Sequence, residues 1–135
     1  MLLSEIYYDN GTIPANVNDY LAYKSSGTTV TVTKNAGDML LAASSAIGWA
    51  YSQYAVDLTY VNTLWVTAKV SADGMFFGVL PNYNSAASLV KVNVSSGIYA
   101  NYSLDVSAIT GNKFIAFGTD ASTTRNIYVQ KIWGV

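Results

Sequence analysis

Eleven Tyr, three Trp and four Phe form the one compositional surplus of a 135-residue chain that has no His and no Cys. Their chemistry is ring stacking against a flat apolar partner such as the face of a pyranose, with amide, hydroxyl and ammonium groups beside it to make directed hydrogen bonds. Trp65 is the sharpest candidate. In the run Thr63 to Val70 (TLWVTAKV), alternation puts Leu64, Val66, Ala68 and Val70 on one face and Trp65, Thr67 and Lys69 on the other. A Trp on a Thr/Lys face is either a ligand platform or a ring covered by a neighbouring strand, loop or subunit, because large rings rarely stay exposed without a partner. Trp49 and Tyr51 share a face with Gln53 and form a second candidate. The alternative there is a buried strand that carries both rings into the core. Asn82-Tyr83-Asn84 follows Pro81 in an expected loop and sets a ring between two amides, the alternative being a turn whose Tyr packs down on the domain.

Other chemistries are thinly supplied. Without His, the usual general base near neutral pH and the commonest metal ligand are missing, and Ser-His-Asp catalysis cannot be assembled within the chain. Without Cys there are no disulfides, thiolate nucleophiles or thiolate zinc sites. No P-loop, dinucleotide-binding glycine motif or EF-hand loop is present. Glu5 and Asp9, Asp19, Asp38, Asp57, Asp73, Asp105 and Asp120 are scattered, mostly at turns, and no local motif pairs two of them as a glycosidase requires. Asp73, Asp105 and Asp120 could contribute to a structural Ca²⁺ site, but turn capping is the better reading of each. No catalytic residue, metal or cofactor is therefore expected. A net charge of -1 gives no basic footprint for nucleic acid or anionic membranes, and the longest low-charge run, 39–56, is too polar to span a bilayer.

The elements that must position these groups are strands. Thr28 to Lys34 (TTVTVTK) alternates, as do Thr63 to Val70 and Ser88 to Val94, while Asn112 to Gly118 and Asn126 to Trp133 are further strands. Lys131 breaks the alternation of the last one, which predicts a bulge near Gln130. Trp133 is expected to pin that strand to the core, Phe114 and Phe117 to enter the core, and Tyr99, Tyr102 and Tyr128 to form cross-strand packing pairs. Asn35-Ala36-Gly37-Asp38, Asp73-Gly74 and Ser96-Gly97 are turn signals, with Asp73-Gly74 reading as a tight hairpin and Ser96-Gly97 as a weaker one. Asp57, Asp105 and Ser107 suit turn capping. The chain reads as a single domain, 1–135, all-β, an antiparallel β-sandwich or jelly roll of about eight to ten short strands.

Three segments carry a resemblance: Val56-Asp57-Leu58-Thr59-Tyr60 with Thr63-Leu64-Trp65-Val66, then Leu104 to Gly111 with Lys113 to Gly118, and finally Asn126 to Trp133. In this order they resemble carbohydrate-binding-module-like jelly rolls of bacteriophage tail and virion surface proteins, over about Tyr51 to Val135. The resemblance implies a lectin-like, host-contact or decoration role. Together with a surface of low charge, it gives as the leading expectation a non-enzymatic virion structural protein, a capsid decoration or a tail or fibre accessory. Such a protein would act through assembly with other virion proteins and as a homo-oligomer, a trimer by preference. The alternative is a carbohydrate-binding module that recognises a bacterial surface polysaccharide; a glycoside hydrolase is a weaker third. Met1-Leu2-Leu3-Ser4-Glu5 lacks a basic n-region and an apolar stretch long enough for a signal peptide. The expected location is thus a virion made in the host cytoplasm, or the chain is a fragment behind an added Met.

Overall fold

The computed structural model of the chain describes residues 5–11, 20–22, 29–44, 48–52, 55–71, 75–82, 88–119 and 125–135; for 20–22, 29, 30, 43, 44, 48–51 and 119 it describes the backbone alone. Among these residues there is no helix. The strands are β1 (Glu5–Asp9), β2 (Tyr20–Ala22), β3 (Thr29–Lys34), β4 (Met39–Ser44), β5 (Gly48–Ser52), β6 (Val56–Asp57), β7 (Thr63–Val70), β8 (Met75–Leu80), β9 (Val90–Val94), β10 (Ala100–Asp105), β11 (Asn112–Thr119) and β12 (Arg125–Gly134). The very short β2 and β6 account for the excess over the expected eight to ten.

Two antiparallel sheets form a β-sandwich. Sheet one runs β10-β7-β12-β4-β3, with β1 also on β12, and sheet two runs β2-β5-β11-β8-β9, with β6 on β11. The first half of β12 pairs with β4 and the second half with β1, so β1 continues the line of β4 along the same edge. The core fills as strand alternation dictates. Leu64, Val66, Ala68 and Val70 of β7 and Ile127, Val129 and Ile132 of β12 face Met75, Phe77 and Val79 of β8 and Ile115 and Phe117 of β11. Phe77 and Phe117 stack at 5.2 Å between centroids. At about 1.5–3 kcal/mol for each fully buried large apolar side chain, this shared layer is the main force joining the sheets.

Several local expectations meet the structure unevenly. The Asn35–Asp38 turn closes the β3–β4 hairpin, with the Asn35 amide donating to the Asp38 carbonyl at 2.9 Å and Asn35 Nδ2 to Asp38 Oδ1 at 2.8 Å. Asp73-Gly74 does not mark a tight hairpin, because β7 belongs to sheet one and β8 to sheet two; residues 72–74 themselves lie outside the described residues. Ser96-Gly97 likewise joins β9 of sheet two to β10 of sheet one. There the Tyr102 hydroxyl accepts the Ser95 and Ser96 amides at 3.3 and 3.0 Å, and Val70 N–H donates to the Ser96 carbonyl at 2.9 Å. Turn residues permit a reversal, but only long-range pairing decides which sheet the returning strand joins. Phe117 is in the core as expected. Phe114 is not: it lies on the other side of β11 in a small cluster with Leu80 and Ala116.

The bulge is where the sequence places it. Val129 pairs with Ala68 and Lys131 with Thr67, leaving Gln130 as the extra residue. Its carbonyl accepts the Asn10 amide at 2.6 Å. A single inserted residue reverses the alternation. Ile127 and Val129 point inward before the bulge, Ile132 and Gly134 after it. Trp133 therefore does not pin β12 to the core; it lies on the outer face.

Asn10 and Gly11 take positive φ angles of 46° and 87° and carry the chain past the β3–β4 turn. A Cβ on Gly11 would lie 2.5 Å from the Ala36 carbonyl oxygen and 2.8 Å from that of Asn35. Gly11→Ala is therefore expected to cost at least about 2 kcal/mol, a fall in Tm of roughly 5–10 °C by thermal denaturation. Gly37→Ala, in the facing turn with no atom within 4 Å of its Cβ, is expected to leave Tm within about 2 °C of wild type.

Candidate functional site

With the phase of β12 reversed, the outer face of sheet one is organised in rows that cross the strands. Trp65 of β7 lies directly opposite Trp133 of β12, flanked by Ser103 of β10 and Ile6 of β1. Thr67 lies opposite Lys131, with Asn101 on its other side. Lys69 lies opposite Tyr128, and Tyr128 opposite Leu40 of β4.

The indoles of Trp65 and Trp133 stack at 5.9 Å between centroids and 10° between planes. Both remain partly exposed. Trp65 is thus neither an isolated platform nor a ring buried under a neighbour: its partner is a second Trp on the same surface. The Thr67 hydroxyl donates to Asn101 Oδ1 at 2.7 Å, which directs the amide of Asn101 and leaves its nitrogen available to donate. Lys69 Nζ lies 4.8 Å from the ring centroid of Tyr99 and 5.2 Å from that of Tyr128, and Lys131 Nζ lies 5.1 Å from that of Trp133. The Tyr99 hydroxyl donates to Asp38 Oδ2 at 2.9 Å, fixing that ring across the lysine. Burial first, and then the hydrogen bond and charge of Asp38, push the Tyr99 hydroxyl well above the usual tyrosine range. Tyr102, paired with Val66, packs against the core from the inner face.

The other sequence candidates are not gathered here. Trp49 and Tyr51 belong to β5 of sheet two, in register with Gly118 and Ala116, and their side chains lie outside what is described. Asn82 is exposed just beyond β8, while Tyr83 and Asn84 lie outside the described residues. Trp65, Thr67 and Lys69 are brought together; Trp49 and Tyr51 lie on sheet two, and Asn82 lies just beyond β8 of the same sheet. Reasoning from sequence missed Trp133, Lys131, Asn101 and Tyr99 as members of this surface. The Lys131 phase break was the available signal for the first two.

Among the described residues, Asp57 and Asp105 cap turns. Asp57 Oδ1 accepts the Thr59 hydroxyl at 2.6 Å and its amide at 3.0 Å, and Asp105 Oδ1 accepts the same pair from Ser107 at 2.6 and 3.0 Å. The Thr59 hydroxyl in turn accepts the Gly111 amide at 2.9 Å. Leu58 N–H reaches the Gly111 carbonyl, and Val106 N–H that of Asn62, so each Asp-capped turn is bonded to the residues that follow the other. The donated hydrogen bonds, hydroxyl first, hold the Asp57 and Asp105 carboxyls below the usual carboxylate value. Asp73 and Asp120 lie outside the described residues, and among the described residues no three His, Cys, Asp or Glu gather where a metal could be held.

No family model matches the sequence, and no curated protein matches it either. Solved structures do share the architecture. A family 29 module from Piromyces equi, CBM29_1, superposes with a TM-score of 0.69 at 13% identity over 98% of this chain and 89% of that one. A CBM29-2 mutant complexed with cellulohexaose gives 0.70 at 15%, over 98% and 89%. The family 11 module of the cellulosomal cellulase Lic26A-Cel5E of Clostridium thermocellum gives 0.69 at 12%, over 100% and 95%. The fold is that of carbohydrate-binding-module jelly rolls. No comparison links the chain to a bacteriophage virion, and the leading expectation from the sequence gains no support.

Two pH limbs follow from the titrating groups. Because the folded values of Asp57 and Asp105 lie below 3.8, the stability they contribute is complete above that pH and is lost as the pH falls beneath it. The Asp57→Asn/Asp105→Asn double variant is expected to lose less Tm than wild type between pH 6 and about pH 3. Tyr7, Tyr8 and Tyr99 are all raised above 10.0, chiefly by burial, so stability falls as the pH rises past that value. Ultraviolet titration should show their ionisation only together with unfolding; reversible ionisation of all eleven Tyr in the folded protein would contradict this.

Proposed function

We propose that the chain is a non-catalytic carbohydrate-binding module that holds a glycan against the outer face of sheet one. The observation that carries this is the stacked, partly exposed Trp65–Trp133 pair on a strand face that otherwise bears Thr67, Asn101, Ser103, Lys69 and Lys131. Parallel indole planes offer apolar surface in a single orientation, suited to the hydrogen-bearing face of a pyranose, while the hydroxyl, amide and ammonium groups alongside suit the ring substituents. The likeness of the fold to carbohydrate-binding modules supports the same reading. Among the described residues, Asp57 and Asp105 are spent on turns. The virion-assembly reading and its trimer rest on the sequence resemblance and the low charge of the chain, and no comparison supports them. The bacterial surface polysaccharide expected from the sequence stays among the ligands to be tried.

The test is retention on a panel of neutral and acidic plant and bacterial cell-wall polysaccharides by affinity electrophoresis. Wild type is expected to be retarded by at least one of them. Trp65→Ala and Trp133→Ala are each expected to weaken that retardation by about tenfold or more, as loss of a central aromatic contact does. Leu89→Ala, at an exposed residue directly before β9 of sheet two, is expected to change nothing. Undiminished binding by both Trp variants, or no retardation by any polysaccharide, would overturn the proposal.

A further inference from the structure

Carboxylates and ammonium groups keep apart on this surface. Glu5 accepts the Tyr7 hydroxyl, Asp9 the Asn10 amide, Asp38 the Asn35 amide and the Tyr99 hydroxyl, and Asp57 and Asp105 the residues two positions on. Every described carboxylate is thereby engaged by a neutral donor. Lys69 and Lys131 form no ion pair among the described residues. They rest against rings instead, Lys69 against Tyr99 and Tyr128 and Lys131 against Trp133. Two acidic groups come near. Asp9 is in register with Lys131, yet its carboxylate is bonded to Asn10, and Asp38 reaches the Lys69 cluster only through the Tyr99 hydroxyl.

A neutral ring attracts an ammonium group weakly at an exposed site and leaves its charge intact. A carboxylate partner would have cancelled that charge. The rings therefore act as braces: they limit the freedom of two long side chains while keeping both cations available. This occurs beside the Trp pair in a chain whose net charge is -1, so it does not follow from general basicity. A site for neutral sugars can be built from hydroxyls and amides alone. Two ring-braced ammonium groups with no ion pair among the described residues, next to a stacking platform, complement a ligand that combines pyranose rings with fixed negative charge.

We propose that the glycan taken by this face is acidic: a polysaccharide whose sugars carry carboxylates, its rings on Trp65 and Trp133 and its carboxylates against Lys69 and Lys131. The proposal rests on the carbohydrate-binding reading above and narrows it.

The experiment compares two polymers of one backbone, carboxymethyl cellulose and hydroxyethyl cellulose, with polygalacturonate as a natural uronate and polyglutamate as a polyanion without sugar. Binding is measured by affinity electrophoresis and calorimetry in about 20 mM and about 500 mM NaCl, concentrations at which surface charges act over very different ranges. The carboxylated polysaccharides are expected to bind about tenfold more tightly than hydroxyethyl cellulose in low salt, with the advantage falling to about twofold in high salt. Lys69→Gln and Lys131→Gln are each expected to lower affinity for the carboxylated polymers several-fold, and Lys69→Arg and Lys131→Arg to keep it. Lys113→Gln, at a lysine bonded to the Thr110 and Asn112 carbonyls, serves as the control and should bind as wild type does. Equal affinity for the two celluloses would overturn the acidic preference and leave the carbohydrate reading standing. Polyglutamate binding as tightly as polygalacturonate would reduce the face to a polyanion site and overturn the proposal. Binding to none of the polysaccharides would overturn both readings.

Discussion

One extra residue in β12 decides what the outer face of sheet one presents. Gln130 breaks the two-residue period, so the strand that buries Ile127 and Val129 goes on to bury Ile132 and Gly134 instead of Lys131 and Trp133. Three features hold that phase. The Gln130 carbonyl is taken up by the Asn10 amide, β1 makes a matching register shift between Ile6 and Tyr8, and Gly134 leaves room for Tyr7, whose ring would lie 3.2 Å from any Cβ at that position. The Trp pair, the Thr67–Lys131 row and the bracing of Lys131 on Trp133 all depend on it. A β12 without the bulge would carry an ammonium and an indole into a core already filled by β8 and β11.

Around that strand the molecule divides its polar groups by task. Aspartates fasten turns: Asp57 and Asp105 close reciprocally bonded caps at one end of the sandwich, while Asp38 closes the β3–β4 hairpin and anchors Tyr99. Aromatic rings then do on the outer face what carboxylates do on most surfaces, which is to hold lysines in place. A ring does so without neutralising the charge, so the face proposed to bind the glycan keeps both ammonium charges. Outside this face, Leu80, Phe114 and Ala116 form a small, nearly inaccessible apolar cluster on sheet two, with Phe76 packed against it and Lys91 Nζ 4.2 Å from the Phe76 ring centroid.

Much of this was legible in the chain. The alternation of β7 and β9, the β3–β4 turn and the Asp-x-Thr and Asp-x-Ser caps are local, and local rules find them. The bulge was legible too, since Lys131 cannot share a buried phase with Val129. Its consequence for Trp133 follows only when the reversed phase is carried two residues further. Contacts between distant residues were out of reach: Thr67 with Asn101 is separated by 34 positions and Tyr99 with Asp38 by 61, and no local pattern encodes either. The same limit explains the failure of Asp73-Gly74 as a hairpin. Turn chemistry is a property of two residues, whereas the choice of sheet belongs to whole strands. Trp49 and Trp65 each share a strand face with polar groups in the sequence, Trp49 with Gln53 and Trp65 with Thr67 and Lys69; only the register, with β11 for one and β10 and β12 for the other, assigns them to different sheets.

The central claim is that ligand binds the outer face of sheet one through the Trp65–Trp133 pair. The chain has only three Trp, two on this face and the third in sheet two, so their indole N–H resonances report directly on which sheet a ligand touches. The most direct measurement is a titration of the ¹⁵N-labelled protein with a uronate oligosaccharide and, separately, with cellohexaose, the three resonances having been assigned by Trp→Phe substitution. The resonances of Trp65 and Trp133 should shift together along one binding curve while that of Trp49 stays in place. A saturable shift of Trp49 alone would put the ligand on sheet two and contradict the account.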